Sequence, residues 1–456
     1  MSDTLMVSVS GVRGIVGRDL TPALVDRYAA AFGTLAREAG HSAVVLARDA
    51  RTSGPMFAAA ASAALQSVGC RVIDCGLIPT PTAQLAVEHH HAGGGIVLTA
   101  SHNPIEWNAL KFVGPDGLFL DQATAARLRA LSEAGVARAD WAGLGTVTHD
   151  PDAVGRHLEL LLALEYVDVA AIRARKFHVA LDCVRGAGGT VMPALLERLG
   201  CTVTAMDTET DGRFPRAPEP VPANLGGLGA LVRTSGADVG IAVDPDVDRL
   251  ALVDETGTPI GEDYTLAFAV ETVLRRTPGP VVVNLSTSLV VDDAARDYGV
   301  TVGRAPVGEA NVARAMRDAG AVVGGEGNGG VILPALHFGR DAPLAAALVL
   351  DLLASGNSSV AQRVAARPRY TIVKAKAPRG GDVRVVYQAL GKRFADATTD
   401  RQDGLRLAWA DRWLHVRPSG TEPIVRLIAE ARAPRAAEEL VAAAREVLDD
   451  EGAAAS

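Results

Sequence analysis

Three aspartates spaced by single residues, Asp244-Pro245-Asp246-Val247-Asp248, form the most chemically suggestive run in the chain. In an extended loop, this spacing aims three carboxylates at one hard cation such as Mg²⁺. Without a counter-ion, three carboxylates this close repel one another. The run also begins like a calcium-binding EF-hand, with Glu255 at the twelfth place. However, Arg249 stands where that loop needs glycine, and β-type apolar runs flank it, so the EF-hand is excluded. A second run, Thr99-Ala100-Ser101-His102-Asn103-Pro104, follows an apolar strand and presents a serine ahead of His and Asn. Ser101 is a candidate nucleophile or phosphate acceptor, while Ser-x-Asn-Pro is also ordinary turn chemistry. Lys111, the only lysine before position 176, is either a solvated surface residue or, with a depressed pKa, a general acid or base.

Two further runs offer groups for a sugar phosphate. Glu326-Gly327-Asn328-Gly329-Gly330 sets a carboxylate and an amide on a glycine-rich backbone, suited to sugar hydroxyls or simply to a glycine turn. Arg417-Pro418-Ser419-Gly420-Thr421, with Arg426, supplies two guanidiniums, two hydroxyls and backbone N–H groups, an inventory that fits a phosphate dianion. His89-His90-His91 reads as favourable positive charge at a helix C-terminus before glycines and is left out of the site.

The elements that must position these runs repeat. Strand-like segments at 43–47, 178–181 and 281–284 each lead through a polar or glycine-containing loop into a helical stretch. Those stretches cover 56–67, 191–199 and 289–298 and stop at or near a glycine, after which a second strand follows. A third strand then runs into Thr99–Pro104, Asp244–Arg249 or Gly324–Gly330. Alternating strands and helices imply α/β units with largely parallel central pairing, in which ligands gather beyond the carboxyl ends of the strands. The three runs are therefore expected to converge. From about Ala366 the pattern changes. Strands at 405–409, 413–416 and 424–429 and an amphipathic helix at 436–448 predict an α+β unit.

Composition narrows the class. The 456 residues, at ~150 per domain, suggest roughly three domains before the repeat is counted and four after it. With 48% hydrophobic and 21% charged residues, disorder is excluded as the main state. A net charge of −8 argues against a general nucleic-acid binder. Only five of the 45 basic residues are lysines. Most of the arginine excess reads as compositional bias, with some arginines free to grip small anions. Four cysteines without a C-x-x-C pair read as buried thiols, not a disulfide framework. The longest apolar stretch, near 344–354, carries Asp351 and is far shorter than the ~20 residues of a membrane span. No signal-peptide pattern opens the chain. The expectation is a soluble, cytoplasmic protein.

Taken in order, the four runs resemble the α-D-phosphohexomutases, the family of phosphoglucomutase/phosphomannomutase and phosphoglucosamine mutase. Ser10-Gly11-Val12-Arg13-Gly14 and Arg48-Asp49-Ala50-Arg51 resemble its N-terminal motifs. The resemblance implies an α/β fold of three similar mixed α/β domains plus a C-terminal α+β domain, heart-shaped around a central cleft. The expected divisions are 1–150 with the phosphoserine loop, 151–256 with the metal loop, 257–366 with the sugar loop and 367–456 with the phosphate-binding loop. It also implies an isomerase-class enzyme that interconverts hexose 1-phosphate and hexose 6-phosphate. Ser101 would carry a phosphoryl group, and Mg²⁺ would be held by that phosphate with Asp244, Asp246 and Asp248. Arg13, His102 and Arg249 would line the transfer site, and Lys111 would assist proton transfer. Glu326 and Asn328 would hold sugar hydroxyls, while Arg417, Ser419, Gly420, Thr421 and Arg426 grip the idle phosphate. A hexose bisphosphate is the implied activator. The implied partners are small hexose phosphates, without nucleic acid or membrane, for a monomer or homodimer.

Two departures from the family pattern stand out. Many bacterial members read Gly-Glu-x-Ser-Gly-His in the sugar loop, whereas Asn328 and Gly330 stand at the Ser and His places here. His337, seven residues on, is either a replacement for that histidine or an ordinary loop residue. The Glu-x-Asn-Gly-Gly form resembles archaeal-type phosphoglucosamine mutases and so favours glucosamine phosphate, with phosphoglucomutase/phosphomannomutase as the alternative. Val7-Ser8-Val9 replaces the usual Phe-Gly-Thr, which bears on the first strand and not on Arg13. More remote readings are an aspartyl-nucleophile phosphatase, built on Asp244-Pro245-Asp246, and a non-catalytic sugar-phosphate binder.

Overall fold

The structure, a computed structural model, describes residues 5–8, 11–378, 382–419 and 424–454. Within them the chain forms four sheets, and the first three share one wiring. Ala43–Arg48 pairs in parallel with Arg71–Leu77 and with Gly95–Leu98. His178–Asp182 pairs likewise with Thr202–Met206 and Val239–Val243. Val281–Asn284 repeats this with Val302–Ala305 and Val323–Glu326. In each unit the third strand is followed by an antiparallel return: Trp107–Val113, Leu250–Val253 or Gly330–Ile332. The candidate runs are the connections into these returns, so a common topology delivers all three to equivalent places. The first sheet adds three strands for a total of seven, among them Gly11–Ile15, which pairs with Trp107–Val113 and carries Arg13.

Central strands such as Val239–Val243 and Val281–Asn284 are buried throughout, as parallel strands covered on both faces must be. The helix Ala342–Ala354 shows the same logic. Twelve of its residues are buried, Asp341 caps it by accepting from the Leu344 N–H at 2.8 Å, and it packs on Asp263–Leu274. Its one charged residue, Asp351, is neutralised by Arg275 and Arg276, each at 2.7 Å. The apolar stretch near 344–354 is thus a core helix, and no helix among the described residues is long and apolar enough to cross a membrane. The second and third sheets share one apolar core running from Leu158 to Val360. The fourth unit has a core of its own.

The C-terminal unit is a five-stranded antiparallel sheet with two helices, Val383–Arg393 and Pro434–Ala454. Sequence periodicity reads only three of its strands. Thr371–Pro378 interleaves lysines with short apolar residues, and Val383–Arg393 opens with β-branched valines that mask its helical period. All four cysteines are free, and Cys70, Cys75 and Cys183 are buried, as the thiol reading expects.

Candidate active site

The serine loop is anchored by one guanidinium. Arg51 is wholly buried and donates through Nη1 to the carbonyls of Pro104 and Trp107, at 2.7 and 2.8 Å. Through Nη2 it reaches the carbonyls of Ser101 and Asn103, both at 2.7 Å, and Nε pairs with Asp49 Oδ2 at 3.1 Å. Asp49 also accepts from Thr99 Oγ1 (2.6 Å), and that hydroxyl in turn accepts the Ser101 N–H (2.9 Å). This scaffold holds Ser101 at φ +49°, the left-handed region that a non-glycine residue occupies only under constraint. Ser101 Oγ donates to Asp244 Oδ2 at 2.9 Å and lies 3.3 Å from His102 Nδ1. Arg13 donates to Asn103 Oδ1 at 2.5 Å.

The aspartate run is not extended. Val247 has φ +64°, and its N–H donates to the Asp244 carbonyl at 3.1 Å, folding the loop back on itself. That turn brings one oxygen from each of Asp244, Asp246 and Asp248 within 4.8 Å of one another, all three buried. Each carboxylate has its other contacts assigned. Asp244 Oδ1 accepts the N–H groups of Asp248 and Arg249, both at 3.2 Å. Asp246 Oδ2 accepts from Lys111 Nζ (2.6 Å) and Thr80 Oγ1 (2.8 Å). Asp248 Oδ2 accepts from Arg340 Nη2 at 2.5 Å. Asp246 Oδ1 and Asp248 Oδ1 are left buried without a hydrogen-bond partner. Two bare carboxylate oxygens beside the Ser101–Asp244 contact are the donor set that a hard divalent cation takes, so the residues fit Mg²⁺.

Electrostatics follow the same geometry. Burial, with Asp248 and Asp246 adding, pushes the Asp244 carboxyl well above its ordinary range. Burial works the same way on Asp246, but Lys111 overrides it and holds that carboxyl low. Lys111 departs from expectation. Burial alone would depress its ammonium, yet Asp246 and Asp248 outweigh burial and raise it. Lys111 is thus a buried ammonium paired with Asp246. His102 is held well below its usual value, first by Arg249, then by burial and Arg13. It is therefore a neutral imidazole ringed by cations. Arg249 lies 3.7 Å from Asp248 Oδ1 and 3.4 Å from Glu219 Oε1.

The sugar run joins this centre through the backbone. The Leu250 N–H donates to the Gly329 carbonyl at 3.0 Å. Gly329 has φ +87°, and a Cβ there would stand 2.3 Å from the Leu250 carbonyl oxygen, so only glycine fits. Glu326 closes the strand Val323–Glu326, with Oε1 accepting from Asn284 Nδ2 (2.8 Å) and Gly308 N–H (2.9 Å). Asn328 Oδ1 turns back onto the Gly330 N–H at 3.2 Å. His337 is neither a replacement for the missing histidine nor an ordinary loop residue. It is buried, its Nε2 is 2.9 Å from Asp341 Oδ2, and that carboxylate also meets His157 Nε2 at 2.8 Å. His157 is in turn 2.8 Å from Thr82 Oγ1, which makes the cluster a tie between domains.

In the C-terminal sheet, Arg417 pairs across strands with Arg426, and Arg426 with Lys376. Directly paired residues share a face, so three cationic residues stand side by side across these strands. Arg417 Nε reaches Asp403 Oδ2 at 2.9 Å, and that oxygen also accepts the Val307 N–H at 3.2 Å. Ser419 is buried, with its N–H on the Ile424 carbonyl at 2.8 Å. Gly420 and Thr421, and Ser10 of the first motif, lie outside the described residues. His89 and its neighbours end a helix away from the loops, with His90 Nε2 on Asp150 at 2.7 Å.

The sequence reading missed Thr80, Glu309, Arg340 and Lys376. It quoted Asp49 and Arg51 only as part of a motif. Lys376 had one available signal, the scarcity of lysine. Arg340 had none, being one arginine among many.

Comparison with known proteins gives this assembly its class, a four-domain sugar-phosphate enzyme. Residues 5–138, 156–257 and 261–370 match the phosphoglucomutase/phosphomannomutase alpha/beta/alpha domains I, II and III, and 373–447 match the C-terminal domain. A phosphoglucomutase/phosphomannomutase of Thermococcus kodakarensis is 37% identical, over 96% of this chain and 97% of that protein. A probable phosphoglucosamine mutase of Methanopyrus kandleri is 36% identical, over 94% and 95%. Among solved structures, a phosphoglucomutase/phosphomannomutase family protein from Burkholderia thailandensis superposes with TM-score 0.86 at 26% identity, covering 99% of each chain. The chain belongs to the phosphoglucomutase/phosphomannomutase family, the α-D-phosphohexomutases, and is an isomerase-class phosphohexomutase.

Proposed function

We propose that the enzyme interconverts hexose 1-phosphate and hexose 6-phosphate through a phosphoserine at Ser101 and a bound hexose bisphosphate, with glucosamine phosphate as its main substrate. The observation that carries the mechanism is Ser101 Oγ, held in a strained loop and 2.9 Å from Asp244 Oδ2. In one half-reaction the phosphoryl group leaves Ser101 for the free hydroxyl of the sugar phosphate. In the other, the bisphosphate's second phosphoryl group returns to Ser101 after the intermediate turns over. A trace of bisphosphate therefore serves as activator, rephosphorylating any enzyme that has lost its group.

Asp244, Asp246 and Asp248 would hold Mg²⁺, which when bound stabilises charge on the transferring oxygens. Arg13 and Arg249 add cationic character, and neutral His102 can exchange a hydrogen bond with the serine oxygen. Lys111 orients Asp246. Glu326 and Asn328 recognise sugar hydroxyls. Arg417, Ser419, Gly420, Thr421 and Arg426 grip the phosphate that is not reacting, with Lys376 as the third cation of their row.

The glucosamine assignment rests on Glu-x-Asn-Gly-Gly in the sugar loop and on the phosphoglucosamine mutase names of several archaeal relatives. The Thermococcus relative supports glucose and mannose phosphates as the second reading. Against an aspartyl nucleophile, that reading leaves the constrained Ser101 loop without a role. Parallel assays with glucosamine, glucose and mannose 1-phosphates, each with Mg²⁺ and a trace of the matching bisphosphate, decide the sugar. Intact mass should rise by ~80 Da on Ser101 after bisphosphate treatment, the mass of one phosphoryl group. Normal turnover by Ser101→Ala would refute the mechanism.

A further inference from the structure

Arg340 lies outside every run discussed from the sequence, yet three loops meet on it. Its buried guanidinium donates to Asp248 Oδ2 at 2.5 Å, Glu326 Oε2 at 2.7 Å and Glu309 Oε2 at 2.9 Å. Glu309 carries the link onward, since its Oε1 accepts from Gln84 Nε2 at 3.0 Å. Three buried carboxylates thus meet on one cation, each through a different N–H of a rigid planar fork, which a lysine ammonium does not reproduce.

Gly330 explains how this residue comes to be there. A Cβ at position 330 would stand 2.2 Å from Arg340 Cδ and 2.9 Å from its Cγ. The arginine stem therefore fills the space that any side chain at 330 would take, including the histidine of many relatives. Arg340 does not inherit that histidine's chemistry, because a guanidinium stays protonated at working pH and cannot accept a proton. What it can do is hold geometry. Glu326 keeps Oε1 on Asn284 and Gly308 while Arg340 fixes Oε2, so both oxygens of the sugar-loop carboxylate are set.

We propose that Arg340 is a positioning residue for the sugar: seated in the space vacated at Gly330, it locks Glu326 to the metal-loop residue Asp248 and so sets affinity for the hexose ring. The inference rests on the reading that Glu326 contacts the sugar.

The test uses the full-length chain with Ser101→Ala, which blocks phosphoryl transfer, in EDTA, titrated calorimetrically with glucosamine 6-phosphate and glucose 6-phosphate. Four proteins are compared: this parent, and the parent carrying Glu326→Gln, Arg340→Gln or both. Each single change should weaken binding about tenfold, the loss of one charged hydrogen bond or its alignment. The double variant should be within threefold of either single variant, because Arg340 acts through Glu326. Parent-like affinity in Arg340→Gln, or losses that multiply in the double variant, would overturn the role of Arg340 while leaving Glu326 as a sugar ligand. Parent-like affinity in Glu326→Gln would instead overturn the sugar-loop reading and the inference with it. Should Arg340→Gln fail to fold, Arg340→Lys keeps the charge without the fork, and Gly330→Ala keeps Arg340 but displaces its stem. Each should weaken binding at least threefold, and parent-like affinity in both would overturn the proposal.

Discussion

Replacing Arg51 by lysine isolates what the serine loop owes to one side chain. A guanidinium has five N–H donors, and all five are engaged, on the carbonyls of Ser101, Asn103, Pro104 and Trp107 and on Asp49. An ammonium has three, so at least two acceptors lose a charged hydrogen bond even if the lysine settles perfectly. Each costs ~1–3 kcal/mol, or roughly 2–6 kcal/mol in all. Against a total of ~5–15 kcal/mol, that is a large fraction of what keeps a domain folded. At ~2–4 °C per kcal/mol, a loss of ~4 kcal/mol lowers Tm by roughly 8–16 °C. Activity should fall by more than stability alone explains. Ser101 holds its left-handed φ only because its surroundings impose it, and a displacement of ~1 Å at a reacting group costs ~10²-fold. Scanning calorimetry and steady-state kinetics below the variant's Tm check both effects. A variant within ~2 °C of the parent and with unchanged kcat would refute the claim that Arg51 holds the loop, since that shift corresponds to less than ~1 kcal/mol.

Two other predictions follow from the C-terminal unit and its junction. Lys376→Met should raise KM for hexose phosphates about tenfold, equivalent to ~1.4 kcal/mol of binding, with kcat changing less. An unchanged or lower KM would count against a role for this cationic row in binding phosphate. Asp263, which accepts the Ser288 N–H at 2.9 Å, has its carboxyl pushed up to about 8 by burial. The native state therefore keeps a proton that the unfolded chain has already lost. This residue's contribution to stability is full below its unfolded value and declines as pH rises toward 8, by up to ~1.4 kcal/mol per pH unit. In urea unfolding from pH 5 to 8, Asp263→Asn should gain on the parent as pH rises, whereas a constant difference would show that Asp263 does not titrate across this window.

Much of this enzyme is readable in one dimension. The strand–helix repeat was legible because buried parallel strands are continuous apolar runs, and because glycines end the helices between them. The aspartate loop was legible because Asp244, Asp246 and Asp248 are near neighbours in the chain, although it is the turn at Val247 that brings their oxygens together. Ser101 stood out for the same reason, with its turn residues on either side. By contrast, the strand Thr371–Pro378 and the helix Val383–Arg393 escaped notice because lysines and β-branched valines blur their periods.

What the sequence determined by itself was the set of local chemistries: a serine turn, an aspartate trio and a glycine-rich acidic loop on three repeated units, and an arginine-hydroxyl loop on a fourth. What only the tertiary structure decided was how charges from distant segments apportion those groups. Lys111 becomes the buried partner of Asp246, because folding sets the two 2.6 Å apart. Arg51 and Arg340 become organising centres, because one planar cation holds four carbonyls of the serine loop and the other three carboxylates from separate segments. Among so many arginines nothing local marks Arg340, and Arg51 is marked only as the end of a motif. Coulomb attraction and buried hydrogen bonding depend on distance and on exclusion of water, and both are properties of the assembled fold and not of chain order.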